Sequence, residues 1–105
     1  MSATEQISIR VEPTTTSRLS QVDFNNLKFG HIMSDHMLVA EYNNGKWEDV
    51  SIVPYGNLTS SPSRSALHYG QSIFEGIKAY KFEDDTVSIF RPDKNLERFN
   101  KSAAR

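Results

Sequence analysis

The chain has no cysteine among its 105 residues. That excludes a disulfide framework, thiolate-bound zinc and a cysteine nucleophile. No apolar run comes near the ~20 residues that cross a bilayer, so no membrane segment is expected. An excess of one charge is missing too. Lysine plus arginine is 12 and aspartate plus glutamate is 13, for a net charge of −1. This gives no general electrostatic reason to expect nucleic acid or an anionic membrane as partner. Apolar residues are 37% of the chain, and its 5 glycines raise that to about 42%, below the roughly 45–50% of typical soluble domains. The length allows one domain at most. The three histidines, 31, 36 and 68, lack a zinc spacing, and no acidic residue completes a set near them. No metal site is expected.

The amino-terminal residues show no basic region followed by an apolar stretch, which argues against a secretory signal. Arg10, Arg18 and many hydroxyls would suit an organellar transit peptide, but Glu5 and Glu12 oppose it. A cytoplasmic location is expected, with a mitochondrial one as the alternative. Residues 1–23 read as a mostly extended, weakly ordered lead: Thr14-Thr15-Thr16-Ser17 offers little to bury and Pro13 breaks regular structure.

Ordered character begins near Phe24. Residues 37–53 read as a β-hairpin, because Leu38, Ala40 and Tyr42 alternate with Val39 and Glu41. Asn44-Gly45 then supplies two residues that tolerate positive φ. Pro54 ends the pairing, since it has no N–H to donate. Residues 54–66, with Pro54, Gly56, Asn57, Pro62 and several hydroxyls, read as loop. A helical turn is expected over Tyr69–Glu75, broken at Gly76. Ile77–Phe82 and Thr86–Phe90 form a second hairpin about Glu83-Asp84-Asp85. Arg91-Pro92-Asp93 opens a helix, with Pro92 suited to its first turn and Asp93 to a cap. On that helix Leu96, Phe99 and Ala103 share one face, while Lys94, Arg98, Lys101 and Arg105 gather opposite. The pattern reaches Arg105 without a stop signal, so the natural folding unit is expected to continue beyond it. The fold class read from these elements is α+β, with two β-hairpins and short helical segments.

One run is more specific. Leu67-His68-Tyr69-Gly70-Gln71-Ser72-Ile73-Phe74-Glu75-Gly76-Ile77-Lys78-Ala79-Tyr80 resembles the signature of class IV aminotransferases, the fold-type-IV enzymes that use pyridoxal 5′-phosphate. The likeness continues through Phe90-Arg91-Pro92-Asp93-Lys94-Asn95-Leu96-Glu97-Arg98-Phe99-Asn100-Lys101-Ser102-Ala103. Upstream, Phe29-Gly30, Asp35-His36-Met37-Leu38 and Pro54-Tyr55-Gly56-Asn57-Leu58 are similar to the branched-chain aminotransferases. The resemblance covers residues 24–105. It implies an incomplete small domain over 24–105, with the large domain missing.

The resemblance also implies roles. Arg98 matches the arginine that binds the cofactor phosphate, and a planar guanidinium suits a near-dianionic monoester. Phe29, Tyr69 and Phe74 match positions lining the substrate side-chain pocket, where aromatic walls take branched hydrocarbon out of water. The competing reading for Phe74 is ordinary core packing. For Glu75 it is a structural hydrogen bond rather than a base. No catalytic residue is implied within the chain, because the family's cofactor-bearing lysine lies downstream and Lys78 does not match it. The implied activity converts leucine, isoleucine or valine plus 2-oxoglutarate to branched 2-oxo acids plus glutamate, in biosynthesis or catabolism, by a homodimer. This fragment alone is expected to be inactive. The alternatives are another class IV enzyme, of D-amino-acid aminotransferase or aminodeoxychorismate lyase type, and a non-catalytic short isoform pairing with the full-length enzyme.

Overall fold

Asn44 and Gly45 both take positive φ, 52° and 81°, and so close the first hairpin as the sequence predicts. The computed structural model describes residues 6–105, so residues 1–5 of the expected lead lie outside the described residues. The chain divides into two units, Met1–Leu58 and Thr59–Arg105. Together they make a small mixed α/β structure with two small sheets and two helices.

In the first unit, strands β1 (Arg10–Val11), β2 (His36–Asn43) and β3 (Lys46–Pro54) form a sheet in the order β1-β3-β2. β2 and β3 are antiparallel, and Leu38 faces Ile52 across the ladder. The register shifts between Val39 and Glu41, where Asp49 has φ 49°. The extra residue is on β3, and aspartate is among the few side chains that accept a left-handed backbone. Pro54 is the last residue of its strand, and Tyr55 N–H donates just beyond it to the Asp35 carbonyl at 2.9 Å.

β1 departs from the sequence expectation. It pairs in parallel with β3, Arg10 opposite Ser51 and Val11 opposite Ile52, and Glu12 N–H donates to the Ile52 carbonyl at 2.8 Å. Further along the expected weakly ordered lead, Asp35 accepts from Ser17 Oγ at 2.5 Å and from Arg18 N–H at 2.9 Å. Arg18 Nη2 donates to the Ser34 carbonyl at 2.7 Å, and Thr14 N–H donates to His36 Nε2 at 2.9 Å. The bonds from the Ser17 hydroxyl, which contributes most, and from the Arg18 backbone N–H hold the Asp35 carboxyl below the usual aspartate range. Composition could not show this, because the partners are polar and about twenty positions away.

In the second unit, α1 (Ser65–His68) falls earlier than the turn expected over Tyr69–Glu75. Gly70, at φ 63°, stops it one residue after its cap at Tyr69, as a left-handed glycine commonly does. Residues 71–78 are irregular. β4 (Ala79–Lys81) and β5 (Val87–Ile89) form the second hairpin, Tyr80 opposite Ser88. Asp84 Oδ1 ties its loop by accepting from both Thr86 N–H at 3.0 Å and Thr86 Oγ1 at 2.6 Å. α2 (Pro92–Ala103) starts with proline in its first turn. Its cap is Arg91, at φ 46°, and not Asp93, which sits inside the first turn near the positive end of the helix dipole.

Among the described residues no apolar side chain is buried, and Ser51 on the central strand is the one buried polar residue. On α2 the partly covered positions are Asn95, Phe99 and Ser102, whereas Leu96 is exposed. The units are therefore held by ladder and side-chain hydrogen bonds more than by hydrophobic burial. No described helix is long and apolar enough to cross a membrane.

The hairpin turn gives a first test. A Cβ on Gly45 would touch nothing within 4 Å, so Gly45→Ala changes only the backbone preference. A left-handed alanine costs roughly 1–2 kcal/mol. Amide exchange of Tyr42 and Trp47 should accelerate by about five- to thirtyfold, on the conversion of such energies to populations.

Candidate functional site

The residue that the family resemblance singles out for anion binding, Arg98, sits near the middle of α2. Three positions earlier on the same helix is Asn95, and residues at that spacing stand side by side. Both reach Glu75, in the irregular run before β4. Arg98 Nε donates to Glu75 Oε2 at 2.8 Å, and Arg98 Nη2 donates to Glu75 Oε1. Asn95 Nδ2 donates to Glu75 Oε1 at 3.1 Å and to the Gly76 carbonyl at 2.9 Å. Gly76 N–H adds a longer bond to Glu75 Oε1, at 3.3 Å.

The two charged partners differ in exposure. The Glu75 side chain is 9% exposed and that of Arg98 is 70% exposed. The carboxylate is thus a fixed post and the guanidinium stands in solvent beside it. Hydrogen bonding from Arg98 is the main reason the Glu75 carboxyl is lowered from 4.5 to about 2. Loss of water pushes the other way and is outweighed by adding Asn95, the Arg98 charge and Gly76 N–H. Glu75 in turn raises Arg98 above its ordinary value.

A guanidinium has five N–H donors. Glu75 engages the Nε–H and one Nη2–H, which leaves both Nη1 hydrogens and one Nη2 hydrogen. These form a second fork edge that is free of the carboxylate. Around the pair, Ser72, Phe74, Lys101 and Arg105 line an open hollow. Two further cations therefore stand on the same hollow as Arg98.

Phe74 lines that hollow and is 89% exposed. Tyr69 lies in the same unit at 81% exposure and is not among the residues lining the hollow. Phe29 belongs to the first unit and is wholly exposed. The sequence reading gave Glu75 a structural hydrogen bond but did not name its partner. It passed over Asn95, whose one sequence signal is its three-residue spacing from Arg98.

The chain is similar along most of its length to several aminotransferases. It is 49% identical over 96 residues to branched-chain-amino-acid aminotransferase 2 of Bacillus subtilis (strain 168), covering 90% of this chain and 26% of that one. It is 44% identical over 99 residues to a probable branched-chain-amino-acid aminotransferase of Staphylococcus aureus (strain MRSA252), covering 93% of this chain and 27% of the other. The branched-chain-amino-acid aminotransferase of Monosiga brevicollis is 39% identical over 106 aligned residues, covering 100% of this chain and 27% of its own. No protein-family model matches the chain. The chain spans about a quarter of the length of these curated relatives.

The carboxylate post carries a pH signature. Its folded value lies below its ordinary one, so the pair's contribution is complete above about pH 4.5 and is lost as pH falls toward about 2. The Glu75 carboxyl carbon, followed by NMR, should titrate near 2. In Arg98→Ala the midpoint should climb back toward 4.5. A midpoint already near 4.5 in the unaltered protein would show that the pair does not form in solution.

Proposed function

We propose, from homology to branched-chain-amino-acid aminotransferases along nearly the whole chain, that these residues supply the small-domain share of such an enzyme. In this reading residues 24–105 are part of a fold-type-IV small domain and residues 1–23 lead into it. The complete protein would exchange the amino group of leucine, isoleucine or valine with 2-oxoglutarate. The observation that carries the reading is the agreement of several separated segments with the aminotransferases in one order.

The residues present fit the pyridoxal phosphate that this activity needs. A phosphate monoester asks for a cationic fork of donors. The outer edge of Arg98 offers one, with three N–H groups not taken by Glu75 and the side chain open to solvent. When bound, the cofactor supplies an electron sink for proton movement at the substrate α-carbon.

This chain's own residues bind and orient. Arg98 takes the phosphate. Phe29, Tyr69 and Phe74 take the branched side chain, and their exposure leaves them free to contact a ligand or another part of the protein. None of Lys28, Lys46, Lys78, Lys81, Lys94 or Lys101 matches the family position that carries the cofactor, so that amine is assigned to another part of the enzyme. A homodimer in the cytoplasm completes the proposal.

Two variants of the complete enzyme test it. Arg98→Ala should weaken pyridoxal phosphate binding by about ten- to a hundredfold, the range for losing hydrogen bonds to a charged group. Phe74→Ala should raise KM for leucine about tenfold through lost apolar contact, with a smaller effect on glutamate. Turnover of D-alanine or aminodeoxychorismate in preference to leucine would overturn the branched-chain assignment.

A further inference from the structure

We propose that Glu75 is a positioning residue for cofactor capture: it clamps the Nε–Nη2 edge of Arg98 so that the Nη1–Nη2 edge faces the phosphate. The inference rests on the phosphate role of Arg98 proposed above and extends it to a residue with no assigned part.

The arrangement has a direction. Glu75 is anchored by contacts that do not involve Arg98: Asn95 Nδ2 at 3.1 Å and Gly76 N–H at 3.3 Å, both on Oε1. Asn95 is itself fixed by its bond to the Gly76 carbonyl at 2.9 Å. Arg98, by contrast, is a long side chain mostly in solvent. Free in solution it would sample many rotamers and lose that freedom on binding an anion. A bidentate carboxylate removes much of it beforehand, and pre-organised groups bind more tightly for that reason.

The carboxylate also repels an incoming phosphate. Two features limit that effect. Its charge is compensated by the guanidinium between it and the anion, and Lys101 and Arg105 stand on the same hollow. Lys101 shares its charge with Glu97 at 3.5 Å, so Arg105 is the less committed of the two.

The test uses the complete enzyme freed of cofactor, with pyridoxal phosphate and pyridoxal as probes. They share the ring and aldehyde and differ in the phosphate. The readout is the ratio of their dissociation constants, which a general loss of structure would not shift selectively. Glu75→Gln keeps the shape and removes the charge. It should reduce the preference for pyridoxal phosphate about tenfold, in line with one charge-assisted contact, while pyridoxal affinity stays the same. Adding Glu75→Gln to Arg98→Ala should cost nothing further, because the carboxylate acts only through the guanidinium.

If Glu75→Gln loses pyridoxal binding as well, Asn95→Ala takes its place. It loosens the post without removing it and should give the same selective loss. An unchanged or increased preference in Glu75→Gln, or equal losses in the presence and absence of Arg98, overturns the proposal. If Arg98→Ala alone leaves the preference unchanged, it is the phosphate role of Arg98 that fails, and the two failures are distinguishable.

Discussion

A carboxylate held by backbone and amide contacts, facing a guanidinium in solvent, organises the second unit. Glu75 is the point where the irregular run 71–78 and helix α2 meet by hydrogen bonds, through Asn95 and Arg98. Hydrophobic packing does not take over that task, since no apolar side chain in the described residues is buried. A charge-assisted, two-point bond is directional where apolar contact is not. It sets the rotation of α2 relative to residues 71–78 as well as holding it there. The same bond decides which edge of Arg98 stays open, so local architecture and the proposed cofactor contact share one interaction.

The first unit uses the same economy with different groups. Its central strand carries ladders on both sides, and its one buried residue is a serine. Asp35 and His36 hold residues 14–18 by accepting hydrogen bonds, three of them from backbone or hydroxyl donors. His36 takes part through its ring Nε2, on which the Thr14 N–H lands. Meanwhile Phe29, Tyr69, Phe74 and Phe90 stand in the open.

The sequence made legible the features governed by near neighbours. Asn44-Gly45 announced its turn because few residue pairs accept two positive φ angles. Pro92 announced the start of α2 because its missing N–H has no partner to lose there. Features set by distant partners stayed hidden. β1 is two residues long and gains its identity from a strand forty positions later. The turn expected over Tyr69–Glu75 lies at Ser65–His68 because the left-handed Gly70, not Gly76, ends it. Asp93 looked like a cap by residue type, but the chain enters α2 through Arg91 instead. Of the site, Arg98 was readable from the resemblance. Its pairing with Glu75, 23 positions away, has no local signal.

The spacing of the ladders also bears on the order in which the chain takes shape during synthesis. A hairpin closes in about 1–10 μs, while a ribosome adds roughly 5–20 residues per second. β2 and β3 are joined by two residues, so their ladder can zip as fast as it leaves the exit tunnel. Arg10 and Val11 emerge first yet must wait for Ser51 and Ile52, an interval of about 2–8 s at those rates. Through that interval Arg10 and Val11 have no ladder to join, so the parallel pairing is the last part of the first unit's sheet to form.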